Sequence, residues 1–551
     1  MSRISVMRGN RGNLVSSTVT ACAAVLTLPF LATPSGAAVA TTTPPDGPAP
    51  EAAPGATAPA VPGSTRSLPL VPLGHKSRAA GVRRGEMGVS ARDVRPFSLV
   101  GVVWDDATAE LRGHVEIRTR ALDTHAWSGW QDLQEHDDDR PDLDSAEARG
   151  GSLRGSTAPL WVGASDAVQV RVRQDPVAGR TSESSALPSG LKLELVDPGT
   201  DPAKGAARTA GRRGAPPVPT DEENAASAAN APLAPLGALE IPALDKPASE
   251  GDVAATHVDG AGREGRPSDS RGDSDSTVPG LPTTDGPSDD PSDGPTDSPT
   301  DIPSGGPTDS PTDNPSGSPS DSPSDGIDPG DSYPSDDSEA SDSGGLDLGR
   351  YVGPRPRIVT RAGWGADESI RERNFPYTKT VKAAFVHHTA SGNGYSCAQS
   401  ASVIRGIYRY HVVSSGWRDI GYNFLIDKCG TVYEGRAGGV AKPVRGAHTL
   451  GFNTNSMGIA VLGSFGKSNP SSAAVDAVAA LTSWKLGLYG VNPLGTASLV
   501  SGGGNLFKKG TTVRLKVISG HRDGYATECP GERLYSRLGG ARSAAARLQG
   551  R

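Results

Sequence analysis

The chain has 551 residues, long enough for two to four domains, but 47 Pro, 70 Gly and a hydrophobic fraction of only 35% exclude a core running through all of it. The net charge of −7 hides a segregation: residues 351–551 hold 26 Lys+Arg against 10 Asp+Glu, residues 201–350 hold 9 against 30, and residues 1–200 hold 20 against 22. A basic globular end suits an anionic partner, whether nucleic acid, an acidic membrane surface or a cell-wall polymer.

The first forty residues predict a signal peptide (1–40). Arg3, Arg8 and Arg11 precede an apolar run at 21–32, and Ala38-Val39-Ala40 offers a small-residue cleavage site. Val19-Thr20-Ala21-Cys22 only faintly resembles a lipoprotein box, because most of the apolar run follows the Cys. That run is short and Pro-interrupted, and no later segment reaches ~18 uninterrupted apolar residues. The expectation is a secreted, extracellular or wall-associated monomer with no membrane anchor after cleavage.

Residues 41–94 are Pro/Ala/Thr-rich and then basic, which predicts a disordered lead. Residues 95–197 change character: 97–104 is a strand signal, and 115–120, 168–173 and 191–196 alternate with period two. They predict a small, sandwich-like all-β domain. Its Trp104, Trp127, Trp130 and Trp161 suit either a core or stacking on sugar rings. Its acidic run of Asp137, Asp138, Asp139, Asp142 and Asp144 lacks EF-hand spacing, so it reads as a solvated loop or, less simply, a calcium loop.

Residues 198–350 read as an acidic, disordered linker. Pro-Ser/Thr-Asp units recur from Pro287 to Pro323, and repelling carboxylates between prolines keep such a segment extended. Leu281-Pro282-Thr283-Thr284-Asp285 has no apolar tail after it, and Arg271-Gly272-Asp273 is a chance tripeptide in a charged stretch.

Residues 351–551 hold enough chain for a proper core and mix strand and helix signals, which predicts an α/β domain with a central mixed sheet. The run 383–389 reads as a buried strand. Ser396 and Gln399 make a capping box before the stripe Val403, Ile404, Ile407, Tyr408 and His411. A hairpin is expected at 424–434, a central strand at 458–463, and helices at 472–488 and 532–548.

Cysteine arithmetic points to chemistry. Setting Cys22 aside, an exported chain keeps three: Cys397, Cys429 and Cys529. A metal-bound thiolate at Cys529 would account for the odd one and leave Cys397 and Cys429 to pair, stabilising the fold by roughly 3–4 kcal/mol on the chain-entropy model. Cys529 follows Gly520-His521-Arg522-Asp523, and His387 stands near the end of the strand at 383–389. Two His and one Cys form an open zinc set, with three protein ligands and a fourth position free.

The motifs now resemble a known family. Arg361-Ala362-Gly363-Trp364-Gly365-Ala366, Val386-His387-His388-Thr389-Ala390 and Gly416-Trp417-Arg418-Asp419-Ile420-Gly421-Tyr422-Asn423-Phe424 come first. Gly446-Ala447-His448-Thr449, Asn455-Ser456-Met457-Gly458-Ile459 and Gly520-His521-Arg522-Asp523 with Cys529-Pro530-Gly531 follow in order. Over 355–548 the chain resembles the type 2 N-acetylmuramoyl-L-alanine amidases and peptidoglycan recognition proteins, the phage-lysozyme-type amidase fold.

The resemblance implies Zn2+ held by His387, His521 and Cys529, with His388 on the opposite face of its strand. It places Tyr422 beside the catalytic water and makes Thr527 the residue two before the Cys, Thr or Lys in active members. His411 and His448 fall where the family builds its groove, as substrate contacts or structural residues. Glu434 is a hairpin residue or a reserve proton-transfer group. The implied reaction is hydrolysis of the amide between N-acetylmuramic acid and L-alanine in bacterial peptidoglycan. A non-catalytic recognition protein is the alternative, and such proteins lose a zinc ligand. No nucleic-acid motif accompanies the basic charge.

Overall fold

A computed structural model describes residues 63–73, 86–134, 139–175, 187–200, 219–257 and 350–551. The expected signal at 1–40 and the Pro-Ser/Thr-Asp units lie outside them. Among the described residues no helix is long and apolar enough to cross a membrane.

The N-terminal domain is one connected eight-stranded sheet built from β1 (Ser64–Pro69), β2 (Val71–Pro72), β3 (Glu86–Trp104), β4 (Gly113–Ala121), β5 (Gln131–Leu133), β6 (Gly155–Ser156), β7 (Leu160–Gln174) and β8 (Lys192–Asp197). The order is β1-β8-β3-β7-β4-β5, with β2 and β6 pairing β3, and all pairs are antiparallel. Period-two alternation sends Val115, Ile117, Val168, Val170 and Val172 into one core with Leu68, Val89, Val102 and Leu193. Register shifts between β3 and β7 bend the long strands around that core.

This domain begins earlier than the composition suggests. β1, β2 and the first part of β3 lie within the expected disordered lead at 41–94. They are strands because β8 and β7, far along the chain, complete their ladders, as in Ser64 opposite Asp197. Trp104 is buried and donates from Nε1 to the Ala109 carbonyl at 2.8 Å. Trp127 and Trp130 instead carry the guanidinium groups of Arg118 and Arg171.

The C-terminal domain is organised by a seven-stranded mixed sheet. Its strands are β9 (Glu240–Ile241), β10 (Ile358–Val359), β11 (Ala383–His388), β12 (Phe424–Ile426), β13 (Val432–Glu434), β14 (Ser456–Val461) and β17 (Ile518–Gly520), in the order β17-β11-β14-β12-β13-β10-β9. β15 (Thr496–Val500) and β16 (Thr512–Lys516) form a separate hairpin. β17, β11, β14 and β12 run parallel, so their C-terminal ends share one edge of the sheet. The helices Ser472–Gly487 and Leu538–Gln549 cover one face through Val478, Leu481, Trp484 and Ala545. The helix Ser400–Arg409 covers the other through Val403, Ile404 and Ile407.

The expected helix at 532–548 is in fact two, Glu532–Tyr535 and Leu538–Gln549. Cys397 and Cys429 are disulfide-bonded, with an S–S distance of 2.07 Å.

A second boundary is corrected. Residues 220–257, assigned by composition to the linker 198–350, belong to this fold. Thr220 and Glu223 make a capping box for the helix Asp221–Ala228, β9 pairs with β10, and a helix spans Lys246–His257. Asn230 donates to both carboxylate oxygens of Glu434, at 2.9 and 3.0 Å, and accepts from the Val440 amide. Alanine, proline and carboxylates carry no periodic apolar stripe here, so only these distant partners mark the segment as folded.

The two sheets share a continuous core. Leu99, Val103, Trp161 and Val196 of the N-terminal domain cluster with Tyr395, Ile404, Ile407 and Tyr410. Tyr410 donates to the carbonyls of Val102 and Thr157, at 3.3 and 3.1 Å. Gly416 sits at φ 76°, where a Cβ would lie 1.9 Å from the Ser152 carbonyl oxygen, so only glycine admits the approaching loop.

Candidate metal centre

Strand alternation decides which imidazole of the His387-His388 pair faces the site. Ala384 and Val386 pack under the helices Ser472–Gly487 and Leu538–Gln549, and His388 follows them, accepting the Phe465 amide at Nδ1. Burial lowers the His388 pKa to about 4, so it stays neutral. His387 points to the other face. β17 runs parallel to β11, and His521 begins the turn directly after β17, which brings the two imidazoles to a ring separation of 4.6 Å.

The loop after His521 returns Cys529 to the same point. Its Sγ lies 3.8 Å from His387 Nδ1 and accepts the His388 amide at 3.4 Å. The expected trio therefore converges, fully buried.

Thr449 fixes the His387 tautomer. His387 Nε2 lies 3.3 Å from Thr449 Oγ1, which lies 3.0 Å from His448 Nδ1. Ser456 spends its hydroxyl proton on the Phe452 carbonyl, so its Oγ accepts from His448 Nε2–H at 3.5 Å; His448 Nδ1 is then the acceptor of the Thr449 hydroxyl, which in turn accepts Nε2–H of His387. Nδ1 of His387 is then left bare toward Cys529, as a metal ligand requires. Burial pulls the His448 pKa well down, which keeps it the neutral acceptor this polarity demands.

A fourth group completes the cluster, and it comes from the other domain. Asp139 Oδ1 lies 2.8 Å from His387 Nδ1 and 3.0 Å from His521 Nδ1, and Tyr422 donates to Asp139 Oδ2 at 2.6 Å. The four ligand atoms lie within 4.8 Å of one another and all four residues are buried. Tetrahedral zinc at ~2.0–2.3 Å sets its ligands about 3.3–3.8 Å apart; the Cys529–His387 separation of 3.8 Å falls in that range, and the Asp139 contacts of 2.8 and 3.0 Å are a few tenths of an ångström shorter. Burial opposes ionisation of Asp139, but the flanking imidazoles outweigh it and hold the carboxyl well below its usual range.

The donor set fits a divalent cation. Asp139 Oδ1 and His521 Nδ1 are buried without an aligned hydrogen bond. With a metal bound, the Asp139 carboxylate and a Cys529 thiolate would together bring two negative charges to imidazoles that ligate as neutral rings, and a dication would offset them in a buried site. The thiolate and imidazoles favour zinc over magnesium or calcium.

The remaining expected residues surround this cluster. Tyr422 is buried, with its ring 5.6 Å from that of His387. His411 lies against Trp417 at 4.2 Å and accepts the Gly421 amide at Nδ1, and burial brings its pKa down to about 3. Thr527 Oγ1 accepts the Cys529 amide at 3.3 Å, so in this structure it braces the ligand loop. Glu434 lies in the Asn230 contact rather than at the cluster.

Asp139 and Thr449 were missed as site residues. Thr449 stood inside a motif but carried no signal of its own. Asp139 was visible only as part of an acidic run; Asp137 and Asp138 lie outside the described residues, and Asp139 and Asp142 are buried rather than solvated. Asp142 accepts from Gly451 N, Asn453 and Arg445, at 2.7, 2.9 and 2.7 Å, and Asp144 pairs with Lys509 at 2.8 Å. The one available hint was an acidic stretch within reach of a strongly basic domain.

Comparisons with known proteins agree with this division. Residues 377–532 match the N-acetylmuramoyl-L-alanine amidase family model, and residues 49–208 match a model described as Rv3811 N-terminal galactose-binding domain-like. The peptidoglycan-recognition protein SC2 of Drosophila simulans is 31% identical over 181 residues, covering 33% of this chain and 84% of that protein. Human peptidoglycan recognition protein 3 is 37% identical over 139 residues, covering 24% of this chain and 38% of that protein. Among solved structures, Drosophila peptidoglycan recognition protein SD matches at 27% identity and a TM-score of 0.26, covering 33% of this chain and 93% of that one.

Proposed function

Since the chain belongs to the family of N-acetylmuramoyl-L-alanine amidases and peptidoglycan recognition proteins, we propose that it is an exported zinc-dependent amidase that cleaves the bond between N-acetylmuramic acid and L-alanine in bacterial peptidoglycan. The coarser reading, peptidoglycan binding or amidase function, follows from family membership. The catalytic reading is carried by one observation: His387, His521 and Cys529 meet in a buried cluster with Tyr422 aimed into it.

Zinc held there supplies Lewis acidity and brings the pKa of water toward ~7. The chain's own residues do the rest. Thr449 holds His387 in the ligating tautomer, and Thr527 fixes the turn that presents Cys529. The Tyr422 hydroxyl would hydrogen-bond charge developing on the scissile carbonyl oxygen, worth ~2–4 kcal/mol if it acts like an oxyanion-hole donor. An extracellular substrate accords with the export signal read at the N-terminus and with the Cys397–Cys429 disulfide.

The test incubates the full-length, zinc-loaded chain with purified peptidoglycan and follows stem peptides bearing free N-terminal L-alanine by mass spectrometry. Release by the parent or by the Asp139 variants described below, lost when Cys529→Ser is added and on chelation and restored by zinc, is the expected result. Binding without release, by the parent and by the Asp139 variants described below alike, would leave a recognition protein.

A further inference from the structure

In a site with three protein ligands, the fourth side stays open to solvent and substrate. Here that side is filled. Asp139 enters it from the N-terminal domain, with one carboxylate oxygen on both imidazoles and the other accepting from Tyr422. We propose that Asp139 is a fourth protein ligand of the metal, and that the loop it leads, residues 139–154, thereby holds the intact chain in a latent state. The proposal rests on the amidase reading of the same site.

The contacts along this loop are built rather than incidental. After Asp139, the Arg140 carbonyl accepts from Asn453 at 3.0 Å, and Asp142 takes Arg445, Asn453 and the Gly451 amide. Glu147, itself buried, forks onto Arg436 with two contacts of 2.9 Å and accepts the Arg418 amide at 3.0 Å. Ser152 donates to the Gly416 carbonyl at 2.8 Å, and the Arg154 amide donates to that of Ser415. Burying three carboxylates costs more than it returns unless each meets a prepared partner, and each does.

Two consequences follow for reactivity. The carboxylate occupies the approach to the three ligands of the C-terminal domain, so a glycan–peptide chain cannot reach them while the loop is docked. The same carboxylate engages the Tyr422 hydroxyl, the donor the proposed reaction needs. With Asp139 in place the cluster's charge is balanced and its fourth position closed, as in structural rather than catalytic zinc sites. Activity then requires the N-terminal domain to be displaced or removed.

The experiment compares the full-length parent with Asp139→Ala and with the near-isosteric Asp139→Asn, which guards against misfolding in the first. Zinc affinity is measured by competition with a chromogenic chelator, and ligand geometry by the visible spectrum of the Co2+-substituted proteins. Release of stem peptides is followed as above. Both variants are expected to hold zinc at least about tenfold more weakly, to shift the cobalt spectrum, and to release peptide at least about tenfold faster than the parent.

Unchanged zinc affinity and an unchanged cobalt spectrum in both variants would overturn the proposal whatever the activity. Weakened zinc with release no faster than the parent's measurable rate would overturn the latency. Weakened zinc with no release from any of the three proteins would overturn the latency and the amidase reading together, leaving Asp139 as a ligand only.

Discussion

Replacing Glu147 by alanine removes the carboxylate that neutralises Arg436 without touching the metal cluster. The Arg436 side chain is 98% shielded; its other hydrogen bonds go to the carbonyls of Ile420 and Arg445, at 2.9 and 3.2 Å, and the charge of Asp419 acts on it more weakly than that of Glu147. Breaking a buried ion pair by deleting one partner costs roughly 3–5 kcal/mol, because the other charge is stranded. That cost falls only on the docked state, since undocking the loop lets water reach Arg436. At ~1.4 kcal/mol per decade, the docking equilibrium should weaken by about two to nearly four orders of magnitude.

Hydrogen exchange with mass spectrometry reads this directly, as loss of amide protection within 139–154 and at Trp161, whose amide donates to the Ser391 carbonyl. The pH dependence is a second readout. Burial opposes ionisation of Glu147, but Arg436 prevails and holds its pKa below the ordinary 4.5. A depressed carboxyl stabilises docking above that ordinary value, and the contribution is lost as pH falls through the docked value. Acidification should therefore loosen the loop in the parent and do so less in Glu147→Gln. Full protection of 139–154 in Glu147→Ala at pH 7 would refute the reasoning.

Thr449→Val removes the acceptor that orients His387 and should weaken zinc binding by about 10–100-fold in chelator competition, with folding retained. An unchanged affinity would mean that packing alone sets the tautomer. The double variant Cys397→Ser/Cys429→Ser opens a bridge spanning 32 positions and should lower unfolding stability by roughly 3–4 kcal/mol, matched by the reduced parent in denaturant titrations. Burial raises the Glu434 pKa to about 7, so the folded state binds more protons than the unfolded one between 4.5 and 7. The parent's stability should accordingly decline over that window, and Glu434→Gln should lack this slope in denaturation series at stepped pH.

Residues whose role is set by near neighbours were legible. The period-two runs at 115–120 and 168–173 became β4 and β7, and the 472–488 helix begins at its Ser471 cap within a residue or so of its expected span. The odd-cysteine count pointed to the disulfide and to Cys529, the family motifs pointed to His387 and His521 beside it, and strand alternation turned His388 away. These inferences survive because strand pleat, helix period and thiol pairing are short-range or combinatorial constraints that the chain carries in its letters.

What stayed hidden depends on partners hundreds of residues away. β1 is a strand because β8 completes its ladder, and β9 because β10 does. Glu434 reads as a hairpin carboxylate until Asn230 arrives to bind it. Asp139 is the sharpest case: in sequence it is one aspartate in an acidic loop, and carboxylates in such loops belong in water. Only the docking of one domain on the other, through Leu99, Trp161 and Tyr410 and the Glu147–Arg436 pair, provides the desolvated position and the two imidazoles that make its burial favourable. The sequence by itself determined the two domain types and the disulfide, and it singled out His387, His521 and Cys529, which meet in one cluster. The tertiary structure alone decided what faces the open side of the site, because that depends on the relative placement of surfaces, which no local periodicity encodes.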